Sequence, residues 1–500
     1  MHNKTLRAIC MILCALMLVP MLFSCGGDGS DTTAGTNQNG NDPSNGTQAE
    51  EKLEVPTDTY DGEEFRILTA GQVAYQDFGF QADEEAHLAQ EQYKRQKLVE
   101  DTCGVVIINE KAENKDSKKA GPGFQKFQKA AQSESLDYHL GVIGGYDVSN
   151  LAQQNYLYDL NSLKHIDTSK SWWDQNANND LTIKGMLFYT NGSLTAGYSE
   201  STFVIYVNKE IATAVLGDVD LYQIVRDGKW TVDKLAEYAK TVTEDLDGND
   251  IMNGEDKYGI YVWDDSLLGM LEAAGTKVAT VGADGKIALT LYNDNSVAVF
   301  NKYMDIACDN KYALQYQRKE LEPSAGVIEA FKAGNALFWQ TSNVNTKYFR
   351  EMEADFGILP YPKLSEDQSR YYSTIAPYNS QFICVPIYTH GQEDYISHIT
   401  EVLAYQGKQI TWPACYDDTL KGAFARDEGT YDMLDIIYGN YGYDLGLYYQ
   451  LGTYNSVIMN LLRNRDMGFK SAYDKYLPTA EATLRGLNAN FEEVVNQWQG

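Results

Sequence analysis

The first apolar run of the chain covers residues 8–23, behind the positive charges of Lys4 and Arg7. It is shorter than the roughly 20 apolar residues that cross a bilayer, and it has the length and flanks of a secretory signal. Residues 26–59 then carry Gly, Ser, Thr, Asn, Asp and Glu with almost no large apolar side chain. Such a stretch buries too little surface to offset backbone entropy and reads as a flexible tether. Beyond it the pattern becomes periodic. Residues 64–69 read as a strand, 84–102 and 124–133 as helices, and 137–143 as a strand running into Gly144-Gly145. Gly104-Val105-Val106-Ile107-Ile108 alternates too little for a half-exposed strand and is expected to be buried. Strands alternating with helices predict βαβ units, largely parallel sheets and an α/β fold. Ligands bind such sheets beyond the carboxyl ends of their strands, which makes residues 144–147 a candidate binding loop.

Further along, the apolar segments 185–189 and 202–207 flank a glycine-containing loop. Thr231 is placed to cap a helix over 232–243. Residues 333–339 read as a turn and a buried strand, and the tail beyond Thr430 is helical and rich in tyrosine. The body from Tyr60 to Gly500 is long enough for two lobes, and 43% hydrophobic and 12% aromatic residues fit a globular protein. The chain has 70 acidic and 41 basic residues, a net charge of -29. With no basic patch to neutralise phosphates, nucleic acid is not an expected partner. Of seven cysteines, Cys103, Cys308, Cys384 and Cys415 lie in the body, far apart and without metal-ligand spacing. They read as buried thiols, with a disulfide as the alternative. There is no G-x-S-x-G elbow, no H-E-x-x-H and no P-loop.

Leu22-Phe23-Ser24-Cys25 resembles the lipobox of bacterial lipoproteins. It implies cleavage before Cys25 and lipidation of its thiol, which would hold the protein on the extracellular face of the cell membrane through acyl chains. A series of body segments resembles the family 1 extracellular solute-binding proteins of bacterial ABC importers, the group that includes maltose-binding protein. They are 98–105 at a helix end and strand, Ser135-Leu136-Asp137-Tyr138 before Gly144-Gly145, and Gln154-Asn155-Tyr156-Leu157-Tyr158-Asp159-Leu160. Ile205-Tyr206-Val207-Asn208-Lys209, Trp230-Thr231-Val232-Asp233-Lys234-Leu235, Phe331-Lys332-Ala333-Gly334-Asn335-Ala336 and 356–362 follow in family order. Leu420-Lys421-Gly422 and Ala425-Arg426-Asp427-Glu428 resemble clostridial members.

The resemblance implies a two-lobed periplasmic-binding-protein-like fold (type II), with the ligand cleft between the lobes. After a signal peptide over 1–24 and the lipidated tether over 25–59, lobe one is expected over 60–197 with a return near 378–430. Lobe two is expected over 198–377, and C-terminal helices over 431–500 packing across both. The implied function is to capture a carbohydrate by lobe closure and deliver it to the transmembrane subunits of a permease, with no catalysis. Sugars present apolar ring faces and hydroxyl edges, so their sites combine aromatic rings with polar side chains. Candidates at family-matching positions are Gly145, Tyr146 and Asp147, Trp173, Tyr198 and Glu200, Trp263, Asp264 and Asp265, Gln340 and Ser342, and Tyr378 and Asn379. Trp230 and Trp339 read as core.

A second site rests on spacing alone. Asp245, Asp247, Asn249, Asn253 and Asp256 place oxygen donors at positions 1, 3, 5, 9 and 12 of a calcium loop, with the Ile251 carbonyl at position 7. Asp250 stands where such loops carry glycine. The expected cofactor is therefore a structural calcium ion. Abundant carboxylates leave a secreted glycoside hydrolase as the alternative, which needs an acid and a base about 5–10 Å apart. A binding protein for a non-sugar polar solute and a surface adhesin are the other readings.

Overall fold

The computed structural model describes residues 51–71, 77–113, 120–349, 352–416 and 429–499. The signal, Cys25, most of the tether and the segment 417–428 lie outside them. The body begins earlier than Tyr60. Glu51 accepts a hydrogen bond from the Ser171 N–H at 3.0 Å, and Leu53 and Val55 pack on the core.

Two sheets form the two lobes. The first contains β1 (Glu63–Gly71), β2 (Val105–Glu113) and β3 (Leu140–Gly144), with helices α1 (His87–Cys103), α2 (Pro122–Gln132) and α3 (Gly145–Gln153) between and after them. β1 lies parallel between β2 and β3. Phe65, Ile67 and Leu68 of β1 are fully buried, and each such side chain contributes about 1.5–3 kcal/mol. α1 ends where Gly104 takes the left-handed conformation (φ 66°) and returns its N–H to the Glu100 carbonyl. The expectation that 104–108 is buried on both faces is corrected here. β2 is the edge strand, and its Val106 and Ile108 are 44% and 43% exposed while Val105 and Ile107 face the core. An edge strand has one packed face only, whatever its apolar content.

The second sheet holds β4 (Phe203–Asn208), β5 (Lys257–Val262), β6 (Ala313–Gln315), β7 (Ala336–Ser342) and β8 (Phe356–Leu359), in the order β8-β4-β7-β5. β6 and the two-residue strand Thr243–Glu244 share the far side of β5. β5, β6 and β7 are parallel, so Trp263, Tyr316 and Asn343 all emerge from the same edge. Thr231 caps the helix Val232–Ala239, accepting the Lys234 N–H at 3.3 Å. Trp230 and Trp339 are buried core residues, as the sequence suggests.

Strand β9 (Gln381–Cys384) returns to the first sheet, antiparallel to β3. The crossing segments meet between the lobes. Thr202 bridges Ile375, Ala376 donates to the Ser201 carbonyl at 2.9 Å, and Ser373–Thr374 pairs parallel with Tyr441–Gly442. Two long C-terminal helices follow, α4 (Tyr454–Asn464) and α5 (Phe469–Gln499). Trp498 donates to Asn155 on the first lobe at 3.1 Å, while Asn488 exchanges hydrogen bonds with Ile287 on the second. Cys103, Cys308, Cys384 and Cys415 are thiols rather than disulfides. No helix among the described residues is long and apolar enough to cross a membrane.

The structure removes Trp173 from the cleft. Residues 170–173 form a turn that sets the two adjacent indoles of Trp172 and Trp173 toward the same partner. Trp172 and Trp173 are both 2% exposed, and their N–H groups donate to the two oxygens of Glu401 at 2.8 and 2.9 Å. Burial pushes the Glu401 carboxyl up to about 7 despite those donors. Glu401→Ala leaves two buried indole N–H groups without an acceptor and is expected to lower unfolding free energy by about 2–4 kcal/mol in denaturant melts. The folded carboxyl holds its proton to higher pH than the unfolded one. Its contribution is therefore complete below about pH 4.5 and lost as pH rises through about 7. The same melts, run across that window, should show a decline in wild type that is smaller in the variant.

Candidate functional site

The carboxyl edges of the two sheets face one another across the crossing strands. From the first, α3 opens directly after β3, so residues 145–147 form its first turn rather than a loop. Gly145 fills a packing role. A Cβ there would lie 2.8 Å from the Tyr448 ring and 2.9 Å from Ser380 Oγ. Asp147 is buried and accepts the N–H groups of Gly121 and Phe124 at 2.8 and 3.3 Å, at the start of α2. It is a helix anchor and is withdrawn as a ligand contact. Tyr146, between them, carries its phenol into the inter-lobe space beside Asn455, Tyr378 and Asp265.

From the second sheet, Trp263 follows β5. Its indole is half-buried, donates to the Tyr361 hydroxyl at 3.4 Å and stands edge-on to Phe203 at 4.9 Å. The two acids that follow are in contrasting surroundings. Asp264 is 4% exposed, pairs with Arg463 of α4 and accepts from Gln315 Nε2 at 3.2 Å. That carboxylate is committed to structure, which corrects its assignment to the ligand. For Asp265, no hydrogen bond reaches the carboxylate among the described residues, and burial alone pushes it up to about 6. Its charge acts on the phenols of Tyr146, Tyr316 and Tyr361, all of which burial already raises. Thus Asp265 acts on Tyr146, itself beside Tyr378, from one side and on Tyr316 from the other, with Trp263 two residues before it in the chain.

The other candidates separate. Gln340 is fully buried inside the second lobe, where it accepts from the Tyr303 hydroxyl at 2.5 Å, and Ser342 is buried beside it on β7. Both point into packed structure because a seven-residue central strand is covered on both faces. Glu200 lies 3.9 Å from Lys347, and burial raises its pKa. Tyr198 sits in the same turn, Gly197–Glu200, with its side chain outside the described set. Tyr378 is 38% exposed and Asn379 half-buried where the chain re-enters lobe one. Tyr316, Tyr361 and Asn455 were not anticipated. Tyr316 follows a strand of only three residues, too short to read from its pattern, and Asn455 opens a helix far along the chain.

The calcium-loop residues do converge. One oxygen each of Asp245, Asp247 and Asp256 lies within 4.8 Å of the others. Asp250 takes the left-handed conformation (φ 61°) that glycine supplies in such loops, and its N–H donates to Asp245 at 2.7 Å. Asp256 is fully buried and accepts from the N–H groups of Leu246 and Asn253 at 2.9 and 2.8 Å. Asn253 and the Ile251 carbonyl are joined at 3.0 Å, and Asn249 receives the Ile251 N–H at 2.7 Å. The donor set is all oxygen, which suits a hard cation.

The chain belongs to the bacterial extracellular solute-binding proteins, whose family model matches residues 112–401. That family is one of binding proteins and places the chain outside the cytoplasm. The fold is also that of solved structures. An ABC substrate-binding protein of Listeria monocytogenes, in complex with cycloalternan, is 12% identical over 87% of this chain and 100% of its own, with a TM-score of 0.51. A solute-binding protein of Agrobacterium radiobacter, in complex with ribitol, is 14% identical over 85% and 100%, with a TM-score of 0.52. The maltose-maltodextrin binding protein of Alicyclobacillus acidocaldarius is 12% identical over 84% and 100%, with a TM-score of 0.51. No curated protein sequence matches.

The two adjacent acids should respond oppositely to mutation. Asp264→Ala strands Arg463 and Gln315 and should cost about 1–3 kcal/mol. The folded pKa of Asp265 lies above its unfolded value, so its ionisation costs stability as pH rises through about 6. Asp265→Asn should therefore stabilise the ligand-free protein by about 1–2 kcal/mol near pH 8 and change little near pH 4. Urea melts of both variants at the two pH values check the signs.

Proposed function

We propose that this protein is the substrate-binding component of an ABC importer that captures a carbohydrate, an oligosaccharide, by closing its two lobes on it. The observation that carries the reading is the Asp265 carboxylate, which no hydrogen bond reaches among the described residues, in electrostatic reach of Tyr146 and Tyr316 and two residues after Trp263. Aromatic faces match the C–H faces of pyranose rings, and a desolvated carboxylate accepts hydroxyl protons strongly. Members of the fold bound to cycloalternan and ribitol support a hydroxyl-rich ligand. Groups from both lobes approach one ligand only when the lobes are together, which makes ligand binding favour closure. A lipid on Cys25 would keep the protein at the outer membrane face, within reach of the permease.

Calorimetric titration of the protein with maltose, maltotriose, maltotetraose, a cyclic glucan and ribitol tests the proposal. One or more should bind and remain chemically intact. Asp265→Asn should weaken binding about tenfold to a hundredfold, the worth of a hydrogen bond to a charged group. Turnover of the sugar would support the hydrolase, and binding of none would redirect the search to other polar solutes.

We also propose that the 245–256 loop binds a structural calcium ion. Calcium at 100 times its dissociation constant should add about 2.7 kcal/mol of stability. Thermal melts with calcium and with chelator should differ in wild type and coincide in Asp245→Ala. An unchanged melt in both conditions would leave the loop as a solvated acidic turn.

A further inference from the structure

A cavity of about 280 Å³ opens beside the crossing strands and shares no lining residue with the Tyr146–Asp265 cluster. Its walls come from three parts of the molecule: Asp180 from the first lobe, Glu272 and Lys277 from the second, and Ser373 and Gly442 from the paired crossing strands. Two polar atoms in this wall, Glu272 Oε1 and Ser373 Oγ, are buried and have no hydrogen-bond partner among the described residues. Their residues are 4% and 2% exposed. Leaving such groups unmatched costs about 1–3 kcal/mol each, so the cavity holds a standing demand for a donor and an acceptor.

Gly442 keeps that space open. Its φ is not in the left-handed region, so the backbone itself does not call for glycine. A Cβ there would stand 3.0 Å from Glu272 Oε1 and 3.1 Å from Lys277 Nζ. Lys277 nonetheless turns to Asp180, at 2.6 Å, rather than to Glu272. The gap facing Gly442 is therefore flanked by a carboxyl oxygen and an ammonium, the pair of partners that a hydroxyl satisfies by donating to one and accepting from the other.

We propose that this cavity is a second binding site, for a small neutral polyhydroxylated molecule the size of a single sugar ring or a short polyol. Inside the cavity the Asp180–Lys277 pair cancels its own charge, and the remaining cation, Arg370, is turned over the Tyr372 ring at the rim. Burial, with Asp444 and Asp180 near, pushes Glu272 up to about 8, so at neutral pH it is an acid group that both donates and accepts. Tyr372, with Arg370 over its ring at 4.9 Å, supplies an aromatic wall at the rim. The volume is at the lower end for small-molecule pockets and excludes an oligosaccharide.

Saturation-transfer NMR on the full chain, with glucose and myo-inositol as probes, tests the site. At least one probe should bind wild type, and Gly442→Ala should weaken it tenfold or more (about 1.4 kcal/mol) by filling the gap. Thr280→Tyr, on a different wall, should do the same, and a circular dichroism melt of each variant establishes that it folds. Asp265→Asn, in the main cleft, should leave this binding unchanged. The proposal is overturned if no probe binds wild type, or if both cavity variants bind as wild type does. It is equally overturned if Asp265→Asn abolishes the binding while the cavity variants retain it, since the probe then occupies the cleft.

Discussion

Everything in this molecule depends on a few backbone hydrogen bonds where the chain passes between its lobes. Ser201, Thr202, Ile375 and Ala376 are all essentially inaccessible to water. A buried peptide group without a partner is costly, so the crossing segments must travel together, N–H to carbonyl. That pairing fixes their register. Thr202 leads at once into β4 and Gln381 lies a few residues beyond Ala376, so each crossing strand feeds directly into a sheet. The carboxyl edges of both sheets are thereby held close to the crossing point, and the residues that leave those edges have nowhere to point but toward each other.

Within that frame the buried acids divide by whether anything answers them. Asp147 anchors the start of a helix, Asp264 holds Arg463, and Glu401 receives two indoles. Each ties together segments distant in sequence, and each is satisfied by the protein itself. Among the described residues nothing satisfies half-buried Asp265 or one oxygen of buried Glu272. A fold tolerates an unanswered buried acid only if the rest of the structure outweighs its cost, and such costs concentrate where a ligand later supplies the missing partner. The distinction is finer than residue type or position, because Asp264 and Asp265 are neighbours in the chain and the start of α3 alternates in the same way at Tyr146 and Asp147.

The architecture was largely legible in the sequence because it rests on local signals. The strand over residues 64–69 and the Thr231 cap are written in apolar runs and a single hydroxyl, and both are present. The β2 strand was misjudged as doubly buried because apolar content does not say whether a strand has two neighbours or one. Of the residues at the candidate site, Tyr146, Trp263 and Tyr378 stand out in the sequence as aromatics just past strand ends or at the return to lobe one. Asp147 was not separable from them, since what it serves is an N–H pair more than 20 residues earlier in the chain. Trp173 failed for a related reason. A turn at residues 170–173 sets both indoles toward one carboxylate more than 220 residues away, and no periodicity encodes that.

The charge of the chain bears on the ligand as well. A net charge of -29 surrounds the cleft with a negative field, and at physiological ionic strength that field decays over about 8 Å. An anionic solute would be repelled on approach and would then meet the unpaired Asp265. A cation would be drawn in, yet the groups in electrostatic reach of that carboxylate among the described residues are the phenols of Tyr146, Tyr316 and Tyr361. A neutral molecule is indifferent to the long-range field and feels only the short-range contacts. At the proposed site, ring faces and one strong acceptor would then decide affinity, a combination that suits a solute with hydroxyls on its edge and carbon on its face.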